Sequence, residues 1–367
     1  MLGVCVAAMA LGGQPGGDGL PALHEVSRLD VPSDHSWLGT RVGGISGIDY
    51  DPDWQTWALI SDDKGQHGPV RAYLADIQFQ GEKLTNVEVT RVLPMCWGSG
   101  RLMTEDGFDP EAIRILPLED YFGDPTLLWA SEGAPDRGVP TTMYETCTGA
   151  TRMDTWNSPE SYRPGRRKGI KNNKAIESVA IIGRRLAVVA SEEPLKQDGS
   201  EYVRFLTYDL DTPESEPIAA IAYPVGPTPE AMGAGFTGLV DLLALKGGRF
   251  LATERSWNFA GQHDVRVYLV ETAGATDIRG LESLAGADLS PASKTLIADL
   301  GDTVGNGEGL CFGPVLPDGR RSLVLVSDNN FKPGEPTHFV AYAVDDPAGV
   351  IEPVDRRSRT MELKTSK

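Results

Sequence analysis

A chain of 367 residues, 40% hydrophobic and 23% charged, holds enough apolar mass for a sizeable core. Its formal net charge of −18 repels polyphosphate backbones and anionic lipid, which excludes nucleic acid and anionic membrane surfaces as natural partners and favours cations. With 42 glycines and 26 prolines, the chain is punctuated for many short strands rather than long helices.

Residues 2–13 form an apolar and small-residue run containing Ala8-Met9-Ala10. The run resembles the hydrophobic region and cleavage site of a secretory signal and is too short to span a bilayer. Residues 1–19 are therefore expected to be a signal-like or disordered terminus. The protein is expected in the periplasm or secreted, with no membrane insertion. Residues 24–31 read as a strand.

From Ser46 onward one phrase recurs five times: a residue, usually acidic, two positions before an apolar anchor, then a tight turn, then an apolar run closing on Ser/Thr-acid. The anchors are Ile48, Ile113, Val179, Leu243 and Leu310, at steps of 65, 66, 64 and 67. The closing pairs are Ser61-Asp62, Ser131-Glu132, Ser191-Glu192, Thr253-Glu254 and Ser327-Asp328. Asp51-Pro52-Asp53, Gly183-Arg184-Arg185, Lys246-Gly247-Gly248-Arg249 and Pro317-Asp318-Gly319-Arg320 supply hairpin turns.

Further strands are predicted over 71–79 and 87–93, weakly over 144–147 and 152–156, then over 203–210, 218–223, 265–270, 295–300 and 339–344. The fifth copy lacks an outer strand, which residues 24–31 can supply, removing exposed edges. A repeat of this length built from short strands predicts an all-β propeller of about five four-stranded blades. Six is the alternative if residues 134–170 hide another blade. The propeller is placed at 20–347, with a tail over 348–367.

In such a ring the inner strand starts, and the second strand ends, at one mouth of the central channel. That geometry gathers Glu111, Glu177, Asp241 and Glu308, with Asp62, Glu132, Glu192, Glu254 and Asp328 beside them. Ser46 breaks the pattern in the first copy. Carboxylates so crowded repel, and a hard divalent cation relieves them. Calcium, which accepts six to eight oxygens in flexible geometry, suits several acids plus the amide oxygen of Asn329 or Asn330. The bland alternative is that each acid caps a strand end by accepting loop amides.

Arg255, Lys64 and Lys174, the last closing a segment over 163–174 with six basic residues, are placed at the same mouth. With Asn329 they are candidates to hold a small anionic, phosphorylated substrate. Glu177, Glu308 and Glu111 are the candidate catalytic acids, and His67 and His263 further acid/base candidates. GxSxG, HExxH and P-loop motifs are absent. Cys96, Cys147 and Cys311 have no metal-ligand spacing; Cys96 and Cys147 could pair in an oxidising compartment, and Cys311 reads as a buried thiol.

At these residues the chain resembles the phytase-like family, described by an esterase-like activity of phytase. The segments that carry the resemblance start with 43–51 and Ser61-Asp62-Asp63, then 109–113 with Ser131-Glu132-Gly133 and 173–177. Glu192-Glu193-Pro194-Leu195, 241–243 with 253–256, and 306–310 with 327–331 complete them. The resemblance implies an exported bacterial protein whose repeated Glu and Asp serve a hydrolase. The leading expectation is a calcium-dependent phosphoric-ester hydrolase, monomeric. A lactonase or carboxylic-esterase type of metal-dependent hydrolase, or a non-catalytic ligand-binding propeller, are the alternatives.

Overall fold

The computed structural model describes residues 19–104, 107–119, 123–149 and 152–358. The signal-like run over residues 2–13 lies outside the described residues.

Five four-stranded antiparallel sheets form the ring. Blade 1 is Ile45–Asp51, Thr56–Ser61, Arg71–Gln80 and Lys83–Pro94; blade 2 is Pro110–Glu119, Pro125–Ser131, Thr142–Thr146 and Arg152–Asn157. Blade 3 is Ile176–Ile182, Leu186–Ser191, Tyr202–Asp209 and Ala219–Pro224; blade 4 is Gly235–Leu245, Arg249–Asn258, His263–Glu271 and Ser293–Gly301. Blade 5 is Gly307–Phe312, Ser322–Ser327 and Thr337–Asp345, completed by the N-terminal strand Ala22–Val31, which pairs with Thr337–Asp345. The ring is therefore closed as the missing outer strand predicted. Residues 134–157 finish blade 2, so the ring has five blades. Among the described residues the only helical pieces are single turns such as Pro135–Arg137.

Five hydrophobic clusters hold the ring, one in each seam between neighbouring blades. The two-residue period of a strand produces this directly. Leu243 packs towards blade 5, whereas Leu242 and Ala244 pack towards blade 3. The stretch Val179-Ala180-Ile181-Ile182 of blade 3 is likewise apolar on both faces and reads as a continuous run. At the axis the inner strands nearly touch. A Cβ on Gly309 would lie 2.9 Å from the Ile48 amide nitrogen, so only glycine allows that approach.

The channel's lower end is filled by ion pairs. Arg114, 1% exposed, donates to Asp241 and to the carbonyls of Ile48 and Leu242 at 2.9 Å each. Arg356 pairs with Asp49 at 2.7 Å, brought there by a segment whose Ile351 is fully buried. Residues 348–358, expected as a tail, pack here against the ring. Cys96, Cys147 and Cys311 are all free thiols, so the Cys96–Cys147 pairing is not formed; Cys311 is buried as expected.

Candidate active site

Four inner strands carry a β-bulge at the residue two before the anchor: Ser46, Glu111, Glu177 and Glu308. A bulge re-aims its side chain and ends regular pairing. Here it turns the three acids into a cavity of about 570 Å³ at the upper mouth, which Asp62, Glu192, Glu193 and Asp328 also line. Lys64, Lys174, Arg255 and Lys332 supply its positive charge.

Blade 4 departs from this pattern, and three expectations fail with it or beside it. Its bulge falls at Val240, so Asp241 returns to the ladder opposite Thr253. A one-residue shift reverses the face a side chain takes. Asp241 therefore points down the channel, accepting from Arg114 and from the amides of Leu242 and Leu310, each at 2.7 Å. It is not part of the mouth.

The second strand of blade 4 is also 10 residues long, against 6 or 7 in the other blades. It runs on past Glu254, which faces outwards and accepts from the Tyr223 hydroxyl at 2.7 Å, Lys294 at 2.5 Å and the Gly226 amide at 3.2 Å. Glu254 is thus a structural acid, and the next residue, Arg255, turns in. Asn329 is likewise structural. Only 1% exposed, its amide oxygen accepts from Gly44 at 3.2 Å and Phe331 at 3.0 Å, while Asn330 lines the cavity.

Within the mouth, two sides differ. On one, Glu192 accepts from Lys174 and, at 3.1 Å, from Arg255, which also donates to Glu308 and to Asn306 at 2.8 Å. Burial would push Glu192 up, but Arg255 and Lys174 hold it below the usual carboxylate range. Burial and the Glu192 charge keep Glu177 well above that range, so the pair has split affinities for a proton. Glu308 rises to about 8 and Asp328 to about 6, burial being the larger cause in each. Gly238 makes room for this arrangement, since a Cβ there would meet the Glu192 side chain at 2.3 Å.

On the other side, Asp109, Glu111 and Glu132 bring carboxylate oxygens within 4.8 Å of one another. Asp109 is 3% exposed and Glu132 fully buried, yet Asp109 Oδ1 and Glu132 Oε2 accept no hydrogen bond. The other oxygen of Glu132 accepts from the Ala175 amide at 2.5 Å, and that of Asp109 accepts from Lys64. Burial and mutual repulsion push Glu111, Glu132 and the adjacent Asp62 well up. Buried acceptors left this way demand a shared proton or a hard cation.

Asp109 was not among the sequence candidates. Its signal was the spacing Asp109-Pro110-Glu111, which places two acids two residues apart at a strand entrance. His263 lies at the rim, held neutral by burial and by Arg255. His67 is outside the cavity, its ring 4.2 Å from that of Phe331.

The family described as phytase-like, with esterase-like activity of phytase, matches residues 40–331. No curated protein matches the sequence. Among solved structures the chain is similar to an endo-arabinase from Bacteroides thetaiotaomicron, at 14% identity over 85% of this chain and 96% of that one, TM-score 0.43. It is similar to an α-L-arabinanase from Penicillium chrysogenum, at 12% identity over 90% and 100%, TM-score 0.42. A third likeness, at 10% identity over 87% and 96% and TM-score 0.43, is to the major Malassezia sympodialis allergen.

Proposed function

This chain belongs to the phytase-like family, described by an esterase-like activity of phytase, and on that premise we propose a metal-dependent ester hydrolase acting at the upper mouth. Phosphoric esters are its substrate class and calcium its cation. The observation that carries the reading is the pair of buried, unpartnered oxygens on Asp109 and Glu132 beside Glu111. Asp109, Glu111, Glu132 and Asp62 offer only hard oxygen donors, which suit calcium rather than a thiolate-seeking metal. Bound there, the cation would polarise an ester oxygen and lower the pKa of a water.

The chain's own residues divide the remaining work. Glu177, whose carboxyl burial and the Glu192 charge hold well above the usual range, would give a proton to the leaving oxygen; Glu192, held below that range by Arg255 and Lys174, fixes those two cations. Lys64 and Lys174 hold the anionic group. Glu308 and Asp328, raised to about 8 and about 6, can exchange protons near neutral pH. The signal-like run over residues 2–13 supports a periplasmic or secreted location.

A carboxylic-ester or lactone substrate is the second reading. It is favoured by Arg255, whose guanidinium is already engaged by Glu192 and Glu308 and so has little left to grip a phosphate. The test is a panel of phytate, aryl phosphates, acyl esters and lactones, assayed with calcium and with chelator. Phosphate release that needs calcium and is lost in Lys174→Ala supports the first reading. Acyl-ester turnover indifferent to Lys174→Ala selects the second. No turnover of any compound under either condition leaves a ligand-binding propeller.

A further inference from the structure

The extra length of blade 4 has a second product. Beyond Arg255 the hairpin continues to Asn258, and Phe236 stands directly opposite Trp257 across it. Strand alternation puts Trp257 on the same face as Arg255, whereas Ser256 and Glu254 take the other. Phe236 and Trp257 both line the acidic cavity, yet are 50% and 39% exposed. Their rings are nearly parallel, 6.3 Å apart at an interplanar angle of 18°, and together they make an exposed aromatic shelf. Phe259, 72% exposed, stands edge-on to both, at 5.7 Å and 5.5 Å, and props the shelf.

Large aromatic rings are not left in water at a polar rim for stability, since burying them would be worth far more. Their arrangement is also informative. Rings boxing a point would suit an organic cation; a parallel pair this exposed leaves an outer ring face on which another ring can stack. The surface adjoins the carboxylates, so one molecule can touch both.

We infer that Phe236 and Trp257 form the subsite for the organic part of the substrate, a ring with an unsubstituted apolar face, such as a sugar or an aryl group carrying the ester. This deepens the hydrolase reading and rests on its placing of the substrate in this mouth. Stacking on the shelf orients the ester towards Asp62, Glu111 and Glu177. It also discriminates against short alkyl esters, which have no face to stack.

Binding, read independently of turnover, tests the inference. Phenyl phosphate, glucose 6-phosphate and methyl phosphate, with uncharged phenyl β-glucoside, are titrated against the full chain in calcium. Affinity is read by calorimetry and ring contact by saturation-transfer NMR. The two ring phosphates are expected to bind about tenfold more tightly than methyl phosphate. Trp257→Ala should remove that advantage and leave methyl phosphate unchanged; Phe236→Ala should remove part of it. Aryl-only enhancement or sugar-only enhancement each upholds the shelf and names its ring.

If no phosphate binds but phenyl β-glucoside contacts the shelf and loses that contact in Trp257→Ala, the subsite stands and the phosphoric-ester reading falls. Ring compounds that bind no better than methyl phosphate, or an advantage that survives Trp257→Ala, overturn the inference. So does a dimer in sedimentation that Trp257→Ala dissociates, because the shelf would then be covered by a second copy.

Discussion

The two ends of the channel use the same residue types to opposite effect. At the lower end, Asp241 receives two amides and Arg114, and Asp49 receives the Ile115 amide and Arg356. Each carboxylate there has the donors it needs. At the upper mouth, no described amide or hydroxyl donates to Asp62, and Asp109 and Glu132 each keep one oxygen without a partner although buried. Saturated acids tie the blades together; unsaturated ones leave capacity for something from solution. Glu192 and Glu308 in the same mouth do have partners, so it is at Asp62, Asp109 and Glu132 that partner count, rather than the acids themselves, marks the candidate cation site.

The strongest way to break that comparison is at the lower end. Arg114→Met strands Asp241 without its cation in a dry channel and should cost about 3–5 kcal/mol in urea denaturation. The response to calcium should be unchanged. At the upper end the expected sign reverses. Asp109→Asn with Glu132→Gln removes repelling charge, so this variant in chelator should be at least as stable as the parent. It should also lose the calcium stabilisation, about 2.7 kcal/mol for the parent at about a hundredfold excess over Kd. Thermal unfolding with and without calcium reads both.

The pH dependence sharpens the contrast further. Asp62, Glu111 and Glu132 have folded pKa values raised by burial and repulsion, and Glu308 is raised to about 8. Their unfolded values lie at about 4. Between the two, the folded chain holds more protons than the unfolded one, so stability in chelator is greatest at acid pH and falls as pH rises towards about 8. Glu192 runs the other way: its contribution is present above its unfolded pKa and is lost as pH falls through its lowered folded value. Denaturation midpoints from pH 5 to pH 8 should therefore decline in chelator and flatten in calcium. A profile rising over that range would contradict the account.

The smallest effect is expected at Lys64, whose ammonium occupies one oxygen of Asp109 while its side chain is 41% exposed. Lys64→Met leaves buried Asp109 without its donor and should cost about 1 kcal/mol or a little more in chelator, the low end for an unpartnered buried acceptor. It should tighten calcium binding several-fold by removing a competing cation, measurable by calorimetry.

Much of this molecule was legible in its sequence, because a period of about 65 residues repeats through the anchors Ile48 to Leu310, and seams between blades need apolar residues at fixed positions. The closing strand was legible from the deficit in the last copy. The errors concentrate where the period holds and the local register does not. Asp241 and Glu254 sit at the right spacing, but a bulge displaced to Val240 and a second strand extended to Asn258 turn them away from the mouth. Spacing cannot report a one-residue bulge. Asn329 carries a ligand-like amide oxygen that two backbone amides consume. Asp109 was overlooked because it precedes the repeated phrase, and Arg114 because a single basic residue in an apolar run gives no hint of its partner across the channel.

The most direct test of the central claim is calorimetric titration of calcium into chelator-treated protein at pH 7, repeated in buffers of different ionisation enthalpy. Saturable binding with release of protons is predicted, because the cation competes with the protons that burial and repulsion favour on Glu111 and Glu132, and the Asp109→Asn, Glu132→Gln variant should give no such signal. Absence of saturable heat, or the same heat and proton release from that variant, would contradict it.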